Sequence, residues 1–281
     1  MAFKNFIPQI WSTKIEEERD NLLVASKLCN RQYEGEIKQV GDKVKINGVS
    51  RPTISDYDDV TGLGEMERPK DQSTLLEITE QKAFHFYVGD IDQRQSMGDV
   101  MSAEKKEAAA GLAEVMDSFI YSHYKEAGIN TTVNSLTSAN VMSTISGVLA
   151  KLWKNKVPRN EKISLEATPE FIEKLLLANV LLNTDNSQII TTGIVGTLKL
   201  FNVDVYMSTN IHSDPTNGDC IFVRTNKAIA MADALKEVKA YEPANYFGEA
   251  VKGLQVYGAK VVRPSELAVI KVKSYGEEKN I

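Results

Sequence analysis

The chain has three histidines, His85, His123 and His212, and their spacing limits the chemistry open to it. None falls in an HExxH, HxH or HxxxH pattern, so the common zinc arrangements are missing. His123 and Glu126 stand one turn apart in a helical pattern and together could touch a metal, but they lie on an apolar stripe, where a histidine is packed or interfacial. His212-Ser213-Asp214 sets triad residue types side by side, whereas a triad needs them converging from separate elements, and there is no GxSxG elbow. The surrounding SDPTNGD reads as a turn. Asp56, Asp58 and Asp59 offer oxygen ligands to a divalent cation without the EF-hand spacing, and read as a solvated or salt-bridged loop face. Cys29 and Cys220 form no CxxC group and read as free thiols of a reducing compartment. Walker and GxGxxG phosphate cradles are absent. No catalytic, cofactor or metal set emerges, so an enzyme is not expected.

The elements that would have to position such groups point elsewhere. With 281 residues and 42% hydrophobic residues, a large core is available without disulfides or metals. No run of eighteen apolar residues occurs, and the start MAFKNFIPQIWSTKIEEERD lacks the n- and h-regions of a signal peptide. A protein that neither spans a membrane nor is exported is expected. Net charge is 33 − 38 = −5, which disfavours a dedicated polyanion binder. Between Glu34 and Glu80 there are eleven acidic and six basic residues, so this one segment carries the whole excess.

An amphipathic helix is expected from about Thr13 to Leu28, with Thr13 and Glu16 at capping-box spacing. The lead before it, with Phe3, Phe6, Ile7, Ile10 and Trp11, is apolar and needs cover from its own core or from another subunit. From Gly35 to about Ser73 the sequence turns polar and glycine-punctuated, with alternation at Lys43-Val44-Lys45-Ile46 and few large apolar side chains. Such a stretch cannot make its own core and reads as an arm lying on something else. As a hairpin of about twenty residues per limb it would reach at most roughly 65 Å. The return limb, through Phe84, Phe86 and Val88 on one face, rejoins a core, with His85 facing away.

Ser102 is expected to cap a long helix stopped by Gly128, with Leu112, Val115, Met116, Phe119, Ile120, His123 and Ala127 on one stripe. About twenty-five residues make a rod of roughly 38 Å. Ile129 to Asn140 reads as a hinge. Beyond it come a helix from about Ser138 to Asn155, a strand at Lys162 to Glu166, and a helix opened by Thr168 and Pro169, PEFIEKLLLANVLL, apolar on most of its circumference. Short strands follow near 203–208, 220–225 and 228–231, with alternation at Leu254 to Tyr257 and a last strand at Leu267 to Val272. Arms that cannot satisfy themselves mark an obligate assembly.

The order of these parts resembles the major capsid proteins of tailed bacteriophages, the Hong Kong ninety-seven fold. The resemblance runs from FIPQIWSTKI and NLLVASKLCNRQYEGEIKQVGDKVKI, through the helix after Ser102, to VKGLQVYGAKVVRPSELAVIKV, and covers essentially the whole chain. It implies an α+β capsid fold with an N-terminal arm and helix (1–35), an extended β-hairpin loop (36–75), a peripheral domain with a long spine helix (76–135 and 234–260) and an axial domain (136–233 and 261–281). The implied function is a coat protein self-assembling into hexamers and pentamers of an icosahedral shell around double-stranded DNA, held by weak non-specific contact. The shell would be assembled in the host cytoplasm with scaffolding and portal proteins and end in the virion. Only two residues precede Phe3, so the scaffold is expected to be separate or removed from a precursor. Candidate inter-subunit contacts are Trp11, and Asp56, Asp58, Asp59, Glu65 and Glu67 meeting Lys105 and Lys106 of a neighbour; no catalytic residue, cofactor or metal is implied.

Three other readings stand beside it. An encapsulin-like compartment shares the fold and holds protein cargo; a small-oligomer α/β enzyme would join His123, Glu126 or the Asp56 group in a concave pocket; a tail or adaptor protein would form rings or tubes. Deleting residues 58–70 is expected to leave a folded monomer, with cooperative thermal unfolding, that no longer builds shells by sedimentation or electron microscopy.

Overall fold

Strict alternation at Lys43 to Ile46 places two apolar side chains on one face of an extended chain. In the computed structural model, which describes residues 23–32, 41–49, 54, 59, 71–89, 100–158, 160–178, 182–183, 194–198, 203–245 and 247–276, this stretch is β1 (Lys43–Val49). It pairs antiparallel with β2 (Asp71–Glu77), Lys43 opposite Glu77 and Val49 opposite Asp71. Val44, Ile46, Leu76 and Ile78 are buried against Ala230, Ala232 and Val256. The root of the hairpin thus has a small core on its own subunit, where a coreless segment was expected. A Cβ at Gly258 would lie 2.1 Å from the Glu77 carbonyl oxygen, so β2 crosses the neighbouring sheet where a side chain is missing.

That sheet has three antiparallel strands in the order β11 (Ile229–Tyr241), β12 (Gly248–Val261), β3 (Glu80–Gly89). Phe84, Phe86 and Val88 pack with Val238 and Val251 on Met101, Ala109 and Leu112 of α1 (Val100–Ser122), and His85 is exposed on the opposite face, as the alternation requires. The thirteen-residue β11 far exceeds the short strand expected near 228–231. Its alanines have weak strand propensity, and pairing along β12, with one register shift between Leu235 and Glu237, supplies what propensity does not.

Helix α1 is 23 residues, about 35 Å at 1.5 Å per residue. It starts at Val100, so Ser102 lies in the first turn instead of capping it. The buried stripe is Ala109, Leu112, Ala113, Met116, Asp117, Ile120 and Tyr121; Val115, expected inside, is 39% exposed. The N-terminal part of α1 packs on the three-stranded sheet, while Ala113, Met116, Ile120 and Tyr121 belong to the main core. One rod therefore ties two sheets together. Residues His123–Glu126 tighten into a 3₁₀ turn, and Gly128 follows because its Cβ would lie 2.4 Å from the Pro264 carbonyl oxygen, which its N–H meets at 3.0 Å.

The first five residues of the expected hinge are a strand, and its last three open a helix. β4 (Ile129–Val133) runs parallel to β13 (Leu267–Val272) at the edge of an eight-stranded mixed sheet, its polar Thr and Asn side chains alternating outward. β-branched residues at Thr131, Thr132 and Val133 suit such an edge. The sheet continues through β10 (Gly218–Thr225), β5 (Ile163–Ala167), β8 (Val203–Met207), β7 (Ile194–Leu198) and β6 (Leu182–Asn183), with β9 (Ser213–Asp214) on β10. Helix α2 (Ser138–Lys154) opens with a capping box in which the Thr137 N–H donates to Asn140 Oδ1 at 2.9 Å. Helix α3 (Pro169–Leu177) is shorter than expected, and Leu176 and Leu177 are exposed, so it is amphipathic, not buried all round. The expected helix at 13–28 lies mostly outside the described residues; its end is a 3₁₀ turn, Ser26–Leu28.

Leu76 is fully buried in the hairpin root, while Leu75 is 43% exposed. Leu76→Ala is expected to cost about 2–5 kcal/mol in denaturant unfolding, and Leu75→Ala less than about 1 kcal/mol.

Candidate assembly site

Residues 23–32 are the first described segment of the chain, and how they are held fixes its path along the body. Leu23, Ala25, Ser26 and Cys29 are buried, although a single 3₁₀ turn leaves most of the segment's backbone groups without regular partners. Two charged side chains supply them, and a third holds one of these in place. Asp117 accepts the Val24 N–H at 2.9 Å and the Ser26 N–H at 3.2 Å. Arg224 donates to the Ala25 carbonyl at 2.8 Å and the Leu28 carbonyl at 3.3 Å, and its Nη1 lies 3.2 Å from Cys29 Sγ. Glu166 neutralises that guanidinium through two contacts, at 2.6 and 3.1 Å, and both side chains are fully buried. Register explains the meeting: Phe222 of β10 faces Glu166 of β5 and Arg224 faces Ser164, so all four project toward α1, where Tyr121 meets Phe222 edge to face. Next, Asn30 bridges β11 through hydrogen bonds with Ile229 and Met231, and Arg31 forms an ion pair with Asp233.

This clasp was missed by pattern reading. Glu166 sits inside the apolar run ISLEA and Arg224 inside CIFVR. One acid and one base, each embedded in an otherwise buried strand, was the available signal. Asp117 lies among the apolar positions of the α1 stripe. Burial pushes its carboxyl up to about 6, against the Val24, Ser26 and Ala25 amides, which pull it down, and with Glu166 adding to the rise. Burial likewise pushes the Cys29 thiol up, so it remains protonated beside Arg224.

The candidate contacts from the sequence fall as follows. Trp11, Asp56, Asp58, Glu65 and Glu67 lie outside the described residues; Asp59 is in an exposed turn. Lys106 is exposed and Lys105 half-buried on the first turns of α1. At the hairpin root, Lys43 pairs across the strands with Glu77 at 2.5 Å.

The other groups with possible chemistry are engaged in structure. His123 Nδ1 lies 3.0 Å from the Phe119 carbonyl, and Glu126 pairs with Lys260 at 3.0 Å. A shallow hollow of about 320 Å³ beside His123 contains Glu77 and Lys260, the first tied to Lys43 and the second to Glu126. Asp214 accepts the Thr216 and Asn217 N–H groups and the Tyr124 hydroxyl, closing the expected turn, and His212 stacks on Tyr124. Among the described residues, no three His, Cys, Asp or Glu side chains group to hold a metal, and both cysteines are free. No helix among them is long and apolar enough to cross a membrane.

No protein-family model matches the chain, and neither does any curated protein. Its three-dimensional structure has relatives. A structure from Mycobacterium phage Che8 shares 26% sequence identity over 88% of this chain and 90% of that one, with a TM-score of 0.70. The capsid of cyanophage P-SCSP1u matches at 14% identity over 87% and 86%, TM-score 0.66. The encapsulin complex of Synechococcus elongatus PCC 7942 matches at 12% identity over 91% and 90%, TM-score 0.57. With the two-sheet body, spine helix and rooted hairpin, these matches show a fold shared with a phage capsid and an encapsulin. This α+β fold is the Hong Kong ninety-seven fold, and the chain is similar to the major capsid proteins of tailed bacteriophages.

Folding raises the Asp117 pKa from 3.8 to about 6, so the folded state takes up a proton. Its contribution to stability is full below about pH 4 and is lost as pH rises through 6. The stability of the wild type relative to Asp117→Asn is therefore expected to fall between pH 4 and 7, measured by denaturant unfolding at each pH.

Proposed function

We propose that this chain is the major capsid protein of a tailed bacteriophage, identical copies forming the hexamers and pentamers of an icosahedral shell that encloses double-stranded DNA. The match to the phage Che8 structure, at a higher TM-score and identity than the encapsulin, carries this reading. In it, residues 36–75 are the extension loop reaching an adjacent subunit, with the acidic side chains Asp56, Asp58, Asp59, Glu65 and Glu67 and the basic Lys105 and Lys106 as contacts, and Trp11 in the N-terminal arm. The peripheral domain comprises 76–135 and 234–260, and the axial domain 136–233 and 261–281. Each exposed ion pair contributes only about 0–1 kcal/mol, so shell strength comes from repetition and from buried apolar arm residues. A scaffolding protein and a portal are the other partners, in the host cytoplasm, and the end location is the virion. A net charge of −5 leaves packaged DNA weakly held.

The protein expressed alone and with a candidate scaffold is expected to give closed icosahedral particles by electron microscopy. Particles from infected cells are expected to hold double-stranded DNA. Protein cargo without nucleic acid would favour the encapsulin-like compartment, and rings or tubes would contradict the shell.

A further inference from the structure

Acidic side chains are spread along most of the chain and are missing from one stretch. Between Glu126 and Glu161 lie 34 residues without an Asp or Glu, where the average of 38 in 281 would put about five. The stretch contains four cations, Lys151, Lys154, Lys156 and Arg159, and thirteen Ser, Thr and Asn residues. It folds into β4 and α2, which pack together at the edge of the eight-stranded sheet. Lys151 Nζ donates to the Thr131 hydroxyl of β4 at 2.9 Å, a neutral partner that leaves its charge unbalanced. Among the described residues no carboxylate pairs with Lys151, Lys154 or Lys156, and the first acid after them, Glu161, is taken by Lys227 at 2.5 Å. The helix beside α2, α3, carries Glu170 and Glu173 but starts from β5, two strands further from the edge.

Two local choices in this stretch lower the subunit's own stability. Lys156 follows α2 at φ 65°, the left-handed conformation in which a glycine usually ends a helix. Its N–H meets the Trp153 carbonyl at 3.0 Å, and the Val157 N–H meets the Leu152 carbonyl at 3.4 Å. Gly147 lies inside the helix, where a Cβ would meet no described atom within 4 Å and alanine would be more stable. With exposed Ser143 and Ala150 it keeps the outward stripe that leads to Lys151 and Lys154 free of bulk. Uncompensated cations at the end of a low ridge suit a rod-shaped polyanion lying against the subunit. Resting on the shell reading above for the identity of that polyanion, we infer that this acid-free edge contacts the phosphate backbone of the packaged duplex, through Lys151, Lys154 and Lys156 with Thr131 beside them, without reading its sequence. Three lysine charges outweigh the roughly half negative charge of the helix C-terminus where they sit.

The test titrates the full-length, unassembled chain with a fluorescent random-sequence DNA duplex of about 24 base pairs, read by anisotropy at several salt concentrations. With three phosphates contacted, log affinity is expected to fall with log salt at a slope of about −2.7. K151Q/K154Q/K156Q is expected to bind at least tenfold more weakly at the lowest salt, with a slope smaller by about 2 to 3, for all duplex sequences alike. Lys156→Gly is expected to melt at a higher temperature than the wild type and yet bind less tightly, on the order of threefold, which separates the charge from the fold. Undiminished binding in both variants overturns the inference. So does loss of binding in K239Q/K252Q instead, or a poly-glutamate chain that binds more tightly than the duplex, which would make the edge a seat for an acidic protein. Electron microscopy of the same chains keeps the two readings apart. Wild type and triple variant are expected to build closed shells equally well; shells from the wild type alone would make the edge a subunit contact and overturn the inference. Closed shells from neither bring down the shell reading, while the titration still decides the contact with a duplex.

Discussion

The fold depends on a buried ion pair whose value lies in what else it holds. Removing Glu166 and Arg224 from water costs several kcal/mol, which mutual attraction at 2.6 Å only partly offsets. The remaining donors of the guanidinium go to the carbonyls of Ala25 and Leu28, and Asp117 takes the amides of the same turn. Four parts of the chain therefore meet at one point: residues 23–32, helix α1, and strands β5 and β10. Asn30 and Arg31 extend the connection to β11 of the smaller sheet. Apolar packing could join these parts in several registers; directed hydrogen bonds from fixed charges favour one.

This arrangement makes the described elements one continuous body. The body is two sheets bridged by α1 and clasped at residues 24–31, and the hairpin root is pinned by its own small core. In the proposed shell, where identical chains occupy non-identical positions, this body is the part expected to stay constant. Ile129–Val133 is part of that body, bound to β13, where a polar hinge was expected.

Much of the architecture was legible because it rests on periodicity. The alternation at Lys43 to Ile46, the apolar spacing of the helix from Ser138 and Pro169 at the start of α3 each impose a local geometry that tertiary contacts do not override. The failures share a cause: the deciding interaction was distant in sequence. Thr131 and Asn130 looked like hinge residues until a parallel partner at Val269 and Ile270 used their backbone. Gly128 looked like a helix stop, yet it is required by the close approach of Pro264. The clasp was the least legible part. Arg224 is separated by 58 residues from Glu166 and by 199 from Ala25, and such pairs become visible only through strand register. The capsid resemblance, in contrast, lay in the order of the elements, which those local signals were enough to recover.

The central claim is that fixed charges anchor residues 23–32 to the body. Backbone hydrogen exchange of the wild type and Glu166→Ala tests it most directly, because removing one partner of a buried pair costs about 3–5 kcal/mol, two to three orders of magnitude in opening. The account predicts slow exchange at Val24, Ser26 and Asn30 in the wild type, and much faster exchange at those amides in the variant while Ile145 to Leu149 of α2 remain protected. Exchange at Val24 and Ser26 as fast as in a free peptide in the wild type would contradict it.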